Sequence, residues 1–138
     1  MKTETVLTII SSAVSAVASY FLGPINGLMT ALVSLMALDV IFGAGASITQ
    51  GKLSSAVGAK GLVKKIGVWG IIAVAHIVGS QVLGMHELLR DAAIGGFITI
   101  EAISILENAG IAGIPIPPAV KDAIEKLKGL SNTANPEA

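Results

Sequence analysis

Of the 138 residues in the chain, 53% are hydrophobic and 13% are charged, against about a quarter charged in an ordinary soluble domain, so the composition excludes such a domain and predicts an integral membrane protein. The formal net charge is zero, so no overall attraction to nucleic acid is expected. Cysteine is absent, which excludes disulfides, thiolate nucleophiles and cysteine-based metal sites.

The first apolar run covers residues 6–22 and is about long enough to cross a bilayer. Its small polar residues Ser12, Ser15 and Ser19 fall on one helical face, and such faces let helices approach closely in lipid. A weakly hydrophobic helix that merely tolerates serine is the plainer interpretation. A signal peptide is a further alternative because Lys2 precedes the run, but we expect the run to be retained.

An uncharged turn cluster leads into a second predicted span over residues 28–46, which carries Asp39. A mid-helix aspartate costs about 3 kcal/mol on insertion, so we expect Asp39 to face a bundle interior or water. Asp39 and Gly43 share a helical face, where a neighbouring helix can pack closely. Alternatively, Asp39 lies near enough to the cytoplasmic end to reach water.

Residues 47–65 form the long polar interruption of the chain and are predicted to be a basic cytoplasmic loop. The loop holds four of the nine basic residues and no acid: Lys52, Lys60, Lys64 and Lys65. Short lysine-rich loops stay on the cytoplasmic side, where their lysines meet anionic lipid headgroups.

The third predicted span covers residues 66–84 and contains His76, for which an interhelical hydrogen bond is favoured over a ligand role. A short loop of mixed charge, residues 85–91, is expected outside the cell. The fourth span, residues 92–114, places four polar side chains on one arc: Glu101, Ser104, Glu107 and Asn108. Glu101 must find a polar partner, line water or bind a proton, whereas Glu107 and Asn108 lie toward the cytoplasmic end.

Prolines end the fourth span, and residues 118–130 are predicted to form an amphipathic cytoplasmic helix that ends at Gly129. Residues 131–138 are predicted to be a flexible tail. The predicted fold is therefore all-α: a membrane domain over residues 1–117, with about four transmembrane helices as two hairpins, and a C-terminal amphipathic helix. Both termini are expected in the cytoplasm.

Three stretches of the chain resemble the phage-lysis and toxin-secretion holin family of Gram-positive bacteria and their phages. The first runs from Ala31 through Asp39 to Gly43. The second joins Gly51-Lys52-Leu53-Ser54-Ser55 to Gly58, Lys60-Gly61 and Lys64-Lys65. The third, the most specific, is Glu101 with Ser104-Ile105-Leu106-Glu107-Asn108 and then Gly113-Ile114-Pro115-Ile116-Pro117.

This resemblance implies a holin that forms homo-oligomers in the bacterial cytoplasmic membrane and opens lesions. An endolysin, or in relatives a toxin, would leave the cell through them. The residues themselves suggest the assembly or pore candidates Asp39, Gly43, His76, Glu101, Ser104, Glu107 and Asn108. Two alternatives remain: a small proton-coupled transporter or channel that uses Asp39, His76 and Glu101, and a membrane scaffold whose tail recruits a soluble partner. No cofactor is expected, and an enzyme is disfavoured because no nucleophile–base pair is evident.

Overall fold

The computed structural model describes residues 2–134, and within that range all regular structure is helical. The helices are α1 (Thr3–Leu22), α2 (Gly27–Thr49), α3 (Ser55–Ile77), α4 (Leu88–Ile111) and α5 (Pro118–Ala134). A π-helical turn, Val78–Val82, continues α3. The predicted all-α membrane fold is thereby confirmed.

Three of the described helices are long and apolar enough to cross a bilayer: α1, α2, and α3 together with its π-helical turn. Helix α4, which carries Arg90, Asp91, Glu101 and Glu107, is not among them. Arg90 and Glu101 are nevertheless buried. These two charged side chains of α4 therefore face the other helices, which lowers the cost of placing the helix in hydrocarbon.

Helix α4 packs mainly against α2 and also against α3, whereas α2 and α3 hardly touch each other. The core between them is small and consists of Met29, Leu32, Met36, Ile72 and Ile94. Contacts join the start of α2 to the start of α4, and the middle of α2 to the later part of α4. These two helices therefore run in the same direction, and the strongest packing lies between the two hairpins instead of within either one.

Helix α1 rests on α3 and contains no buried residue. The uncharged link after it begins at Gly23, which has φ +74°, in the left-handed region that favours glycine. Asn26 caps α2 by accepting a hydrogen bond from the Met29 N–H at 3.0 Å. This short link leaves α1 joined to the bundle by few side chains.

The predicted loop over residues 47–65 is wrong in its extent. Only residues 50–54 link α2 to α3, because Ser54 caps α3 by accepting from the Val57 N–H at 3.3 Å. Lys60, Lys64 and Lys65 therefore lie on α3. Gly58 and Gly61 lie within this helix in spite of their weak helix propensity.

Two other predicted boundaries differ from the structure. Helix α4 begins at Leu88, so residues predicted to belong to an external loop form its first turn, where Asp91 suits the positive end of the helix dipole. Helix α5 runs past Gly129 to Ala134. Of the predicted flexible tail, residues 131–134 are thus helical and residues 135–138 lie outside the described range.

Candidate functional site

Three charged side chains meet between the helices, one from each of α2, α3 and α4. The Lys65 Nζ lies 3.1 Å from the Asp39 Oδ2 and 2.6 Å from the Glu101 Oε2. The side chains are 16%, 17% and 9% exposed, in the order Lys65, Asp39 and Glu101. We call these three residues the lysine triad. One cation here pairs with two carboxylates, so the triad carries an excess negative charge when both carboxylates are ionised.

Asn108 extends the triad by donating from its Nδ2 to the Asp39 Oδ1 at 3.3 Å. Gly43 lies one helical turn beyond Asp39, and a Cβ built there would be 3.5 Å from the Asn108 amide nitrogen, an ordinary contact. Gly43 thus lies against the polar side of α4 beside Asn108, where a methyl group would also fit. Each polar group of the triad finds its partners inside one chain.

A groove with a volume of about 890 Å³ leads from the α2–α3 link to the triad. Its floor includes Asp39, Lys65 and Asn108, and Ser104 borders it from α4. The groove exists because α2 and α3 diverge while α4 packs behind them. The triad is therefore reachable from the end of the molecule that carries the other lysines.

A second polar cluster lies at the opposite end of the bundle, around Arg90, which has no exposed surface. Its Nε and Nη2 donate to the Asp91 Oδ1 at 3.0 and 2.7 Å. Its Nη1 lies 3.0 Å from the Glu87 Oε2, which also contacts the His76 Nδ1 at 3.1 Å. Asn26 donates to both oxygens of Asp91. We call these five residues the arginine cluster.

Arg90 also binds the main chain of the α1–α2 link. Its Nη1 donates to the carbonyl oxygens of Leu22 at 3.2 Å and Pro24 at 2.9 Å. Gly23, between them, is buried, and a Cβ there would clash with the Arg90 Nη1 and lie 2.8 Å from the His76 ring. The arginine cluster therefore fixes where α1 ends and α2 begins.

The two clusters are about 15 to 20 Å apart along the helices, since 10 to 13 residues separate corresponding members at 1.5 Å each. Asn26 and Asp39 mark this spacing on α2, and His76 and Lys65 mark it on α3. The hydrocarbon core is about 30 Å thick. If the arginine cluster lies near one membrane surface, the lysine triad lies deep within the bilayer.

The structure brings some of the predicted site residues together and separates others. Asp39, Gly43, Glu101, Ser104 and Asn108 all lie at the triad or its groove. His76 belongs to the arginine cluster, where it makes the expected contact with another segment. Glu107 points away and pairs with Lys128 of α5.

The sequence predicts that four lysines contact lipid headgroups. Lys65 does not fit this prediction, because it lies between the carboxylates of Asp39 and Glu101. Lys52, Lys60 and Lys64 are exposed. No group of three His, Asp or Glu side chains within residues 2–134 is arranged to hold a metal ion.

The serine face of α1 remains largely open. Ser15 and Ser19 line an apolar groove of about 460 Å³ between α1 and α2, with Trp69 of α3 at its side, while Ser12 is exposed. No side chain of α1 donates a hydrogen bond to another helix in the part of the chain described here. The predicted packing role of this face stays a prediction.

Sequence reasoning missed the arginine cluster. The mixed charges of residues 85–91 predict a solvated loop that contains Glu87, Arg90 and Asp91, and the stretch around Asn26 predicts only a turn. The available signal was Asn26, whose position just before an apolar run is typical of a helix N-cap.

Comparisons with known proteins agree with the resemblance seen in the sequence. The model of the bacteriophage holin family matches residues 16–129. An uncharacterised protein of Listeria innocua is 38% identical over 88% of this chain and 86% of its own length. An uncharacterised protein of Halalkalibacterium halodurans is 32% identical over 91% of this chain and 96% of its own. An uncharacterised 14.9 kDa protein of Clostridium perfringens, described by its place in the nagH 3' region, is 31% identical over 72% of this chain and 75% of its own length. No solved structure matches the chain.

Proposed function

Because the chain belongs to the bacteriophage holin family, we propose that it oligomerises in a bacterial cytoplasmic membrane and opens lesions that release an endolysin or a secreted toxin. The observation that carries this proposal is the family match over residues 16–129, which includes α2 to α4 entirely. The three apolar helices support the membrane location. The proposal concerns the assembly of copies and the passage of a macromolecule.

The exposed apolar surface supports assembly. Helix α1 buries none of its side chains, and large apolar residues of α2 and α3 also face outward, such as Ile41, Ile71 and Val74. A bundle with so small a core must cover this surface with lipid or with other copies. In a membrane, close packing between helices competes with lipid for such faces.

We further propose that both termini and the α2–α3 link lie in the cytoplasm. The link and the first turns of α3 carry Lys52, Lys60 and Lys64 and no acid, which favours the inner side. The arginine cluster is then external, and α4 is the fourth crossing. Four crossings return the chain to the side on which it began.

The lysine triad suggests how assembly could be coupled to opening. Its three charges tolerate the membrane interior only while they face one another. When copies associate, neighbouring helices or water can replace Glu101 of α4 beside Lys65 and Asp39. Lesion formation would then expose charges that the single subunit keeps inside.

The test is inducible expression in a bacterium together with an endolysin that lacks an export signal. We expect sudden lysis after a delay, and release of a cytoplasmic enzyme when the chain is expressed alone. The endolysin expressed without the chain is the control and should remain inside. Cells that stay energised and leak nothing at any expression level would exclude lesion formation.

A proton-coupled transporter or channel is the second candidate, since the groove gives access to the charged triad. It predicts saturable, selective flux without cell death. A relay through His76 is disfavoured because His76 lies in the arginine cluster, about three helical turns from Lys65 along α3. Flux of one ion species with full viability would favour this candidate over the holin.

A further inference from the structure

The two walls of the groove between α2 and α3 share a small and apolar lining, but only the α3 wall carries lysines. Small and apolar side chains line both walls: Val40, Gly43, Ala44 and Ser47 on α2, and Val57, Gly58, Gly61 and Leu62 on α3. Leu53 and Ser54 of the link border the groove at one end. Consecutive helices in a bundle usually pack together when a short link joins them. Here they diverge by enough to leave about 890 Å³ between them.

Two lysines on the α3 wall have no acidic partner. Lys60 and Lys64 are one helical turn apart, both border the groove, and both are exposed. Neither forms an ion pair with a carboxylate within the described residues. The Ser54-capped start of α3 adds the positive end of a helix dipole to the same region. The mouth of the groove is therefore cationic.

Inside a bilayer such a groove must be filled, and its lining favours some kinds of molecule over others. Water would wet the apolar walls, which is unfavourable. An apolar helix would leave the two lysines without a counter-charge. A phospholipid with an anionic headgroup matches both parts, because its phosphate can pair with the lysines while an acyl chain follows the apolar walls.

We propose that this groove is a binding site for one anionic phospholipid, with its phosphate between Lys60 and Lys64 and an acyl chain between α2 and α3. The inference goes beyond lesion formation and rests only on the proposed orientation, which turns the mouth of the groove and its two lysines toward the inner membrane surface. The lipid would also cover the side of the lysine triad that α4 leaves open. Bound lipid would thus hold α2 and α3 apart in the single subunit.

The experiment is native mass spectrometry of the full chain in detergent, titrated with phosphatidylglycerol and separately with phosphatidylcholine. We expect one tightly bound phosphatidylglycerol and no comparable phosphatidylcholine. The double variant Lys60→Gln/Lys64→Gln should bind phosphatidylglycerol about thirty-fold more weakly, if each lysine contributes as it does near an anionic membrane surface. The matched control Lys121→Gln/Lys126→Gln removes the same charge from α5 and should bind as the parent does.

A second pair of variants tests the acyl chain separately from the phosphate. Gly61 lines the groove and Gly67 does not, and a side chain at either position would enter open space. Gly61→Leu should fill the groove and reduce phosphatidylglycerol binding, whereas Gly67→Leu should leave it unchanged. Both substitutions keep every lysine.

Three results would overturn the proposal. Equal binding of the two lipids would show that charge is not recognised. Equal binding by the lysine variant and its control would exclude Lys60 and Lys64. Displacement by inorganic phosphate, combined with normal binding by Gly61→Leu, would show a phosphate site without an acyl groove. Lysis is not measured in these experiments, so failure of the lipid site and failure of the holin proposal remain separate outcomes.

Discussion

The two polar clusters use similar charges for different purposes. Each sets a single permanent cation against two carboxylates: Arg90 against Glu87 and Asp91, and Lys65 against Asp39 and Glu101. Arg90 sits at the end of the bundle and also binds two main-chain carbonyls of the α1–α2 link. Lys65 sits midway along α3 and binds side chains only.

The difference teaches which cluster can change without unfolding the chain. An arginine presents five N–H donors in a rigid fork. Those of Arg90 connect the end of α1 and the α1–α2 link to the start of α4. Lysine presents a point charge on a flexible stem beside an open groove. The arginine cluster therefore maintains the fold, whereas the lysine triad can rearrange when copies assemble.

The largest expected effect comes from breaking the arginine cluster. Arg90→Met removes the cation from two carboxylates and a hydrogen-bond donor from two carbonyl oxygens, and removing one partner of a buried ion pair costs about 4 kcal/mol. We expect the variant to be strongly destabilised, as measured by unfolding of the purified chain in detergent and by its abundance in membranes. Lys126→Met, an exposed cation on α5, is the control and should change little.

Arg90→Lys tests whether the charge of Arg90 is sufficient to hold this end of the bundle together. Lysine keeps the charge but cannot reach the carboxylates and the link carbonyls at once, so its stability should fall between that of the parent and that of Arg90→Met. A lysine variant as stable as the parent would mean that charge alone holds this end of the bundle.

The sequence predicted the need for the lysine triad but not its composition. The insertion cost of Asp39 and Glu101 predicts that each faces a polar partner or water or, for Glu101, binds a proton, and this follows from their positions within apolar runs. The sequence does not identify the partner, because the polar stretch over residues 47–65 predicts a loop for Lys65. Its helical phase depends on α3 beginning at Ser55, and its contacts depend on the register of three helices that are distant in sequence.

The burial of Arg90 could not be predicted from local pattern. Arg90 binds carbonyl groups 66 and 68 residues earlier in the chain, and every main chain offers such groups. Charged residues near a predicted turn usually remain in water. Only the tertiary packing of α4 against α2 shows that this arginine is buried.

The second prediction concerns the lysine triad. Lys65→Met leaves two carboxylates facing each other in a poorly solvated site, which we expect to cost about 3 kcal/mol. Removing the acids as well, in Lys65→Met/Asp39→Asn/Glu101→Gln, should restore most of the stability because no uncompensated charge remains. Unfolding in detergent measures both. A triple variant as unstable as Lys65→Met would show that the triad holds the helices together as the arginine cluster does, which would remove the contrast between them.

The third prediction tests how tightly the arginine cluster is packed. Gly23→Ala places a methyl group against the Arg90 guanidinium and the His76 ring, in addition to the strain of a positive φ, and should cost about 2 kcal/mol or more. Gly113→Ala has a similar φ of +79° but open space around it, so strain alone should cost about 1 kcal/mol. The difference between the two unfolding free energies isolates the contact. Equal losses would mean that Arg90 and His76 move aside freely.

The smallest effect on stability, and the most informative for function, is expected from Glu101→Gln. The amide oxygen still accepts a hydrogen bond from Lys65, and the remaining Lys65–Asp39 pair is balanced in charge, so stability should change by no more than about 1 kcal/mol. Lysis should nevertheless begin earlier at equal membrane abundance, because the neutralised triad costs less to expose during assembly. Glu107→Gln removes the same charge from the same helix where it pairs with Lys128 on the surface, and it should lyse on the parent's schedule. If the lysis curves of Glu101→Gln and the parent coincide, the triad has no part in timing, and both clusters serve only to hold the fold.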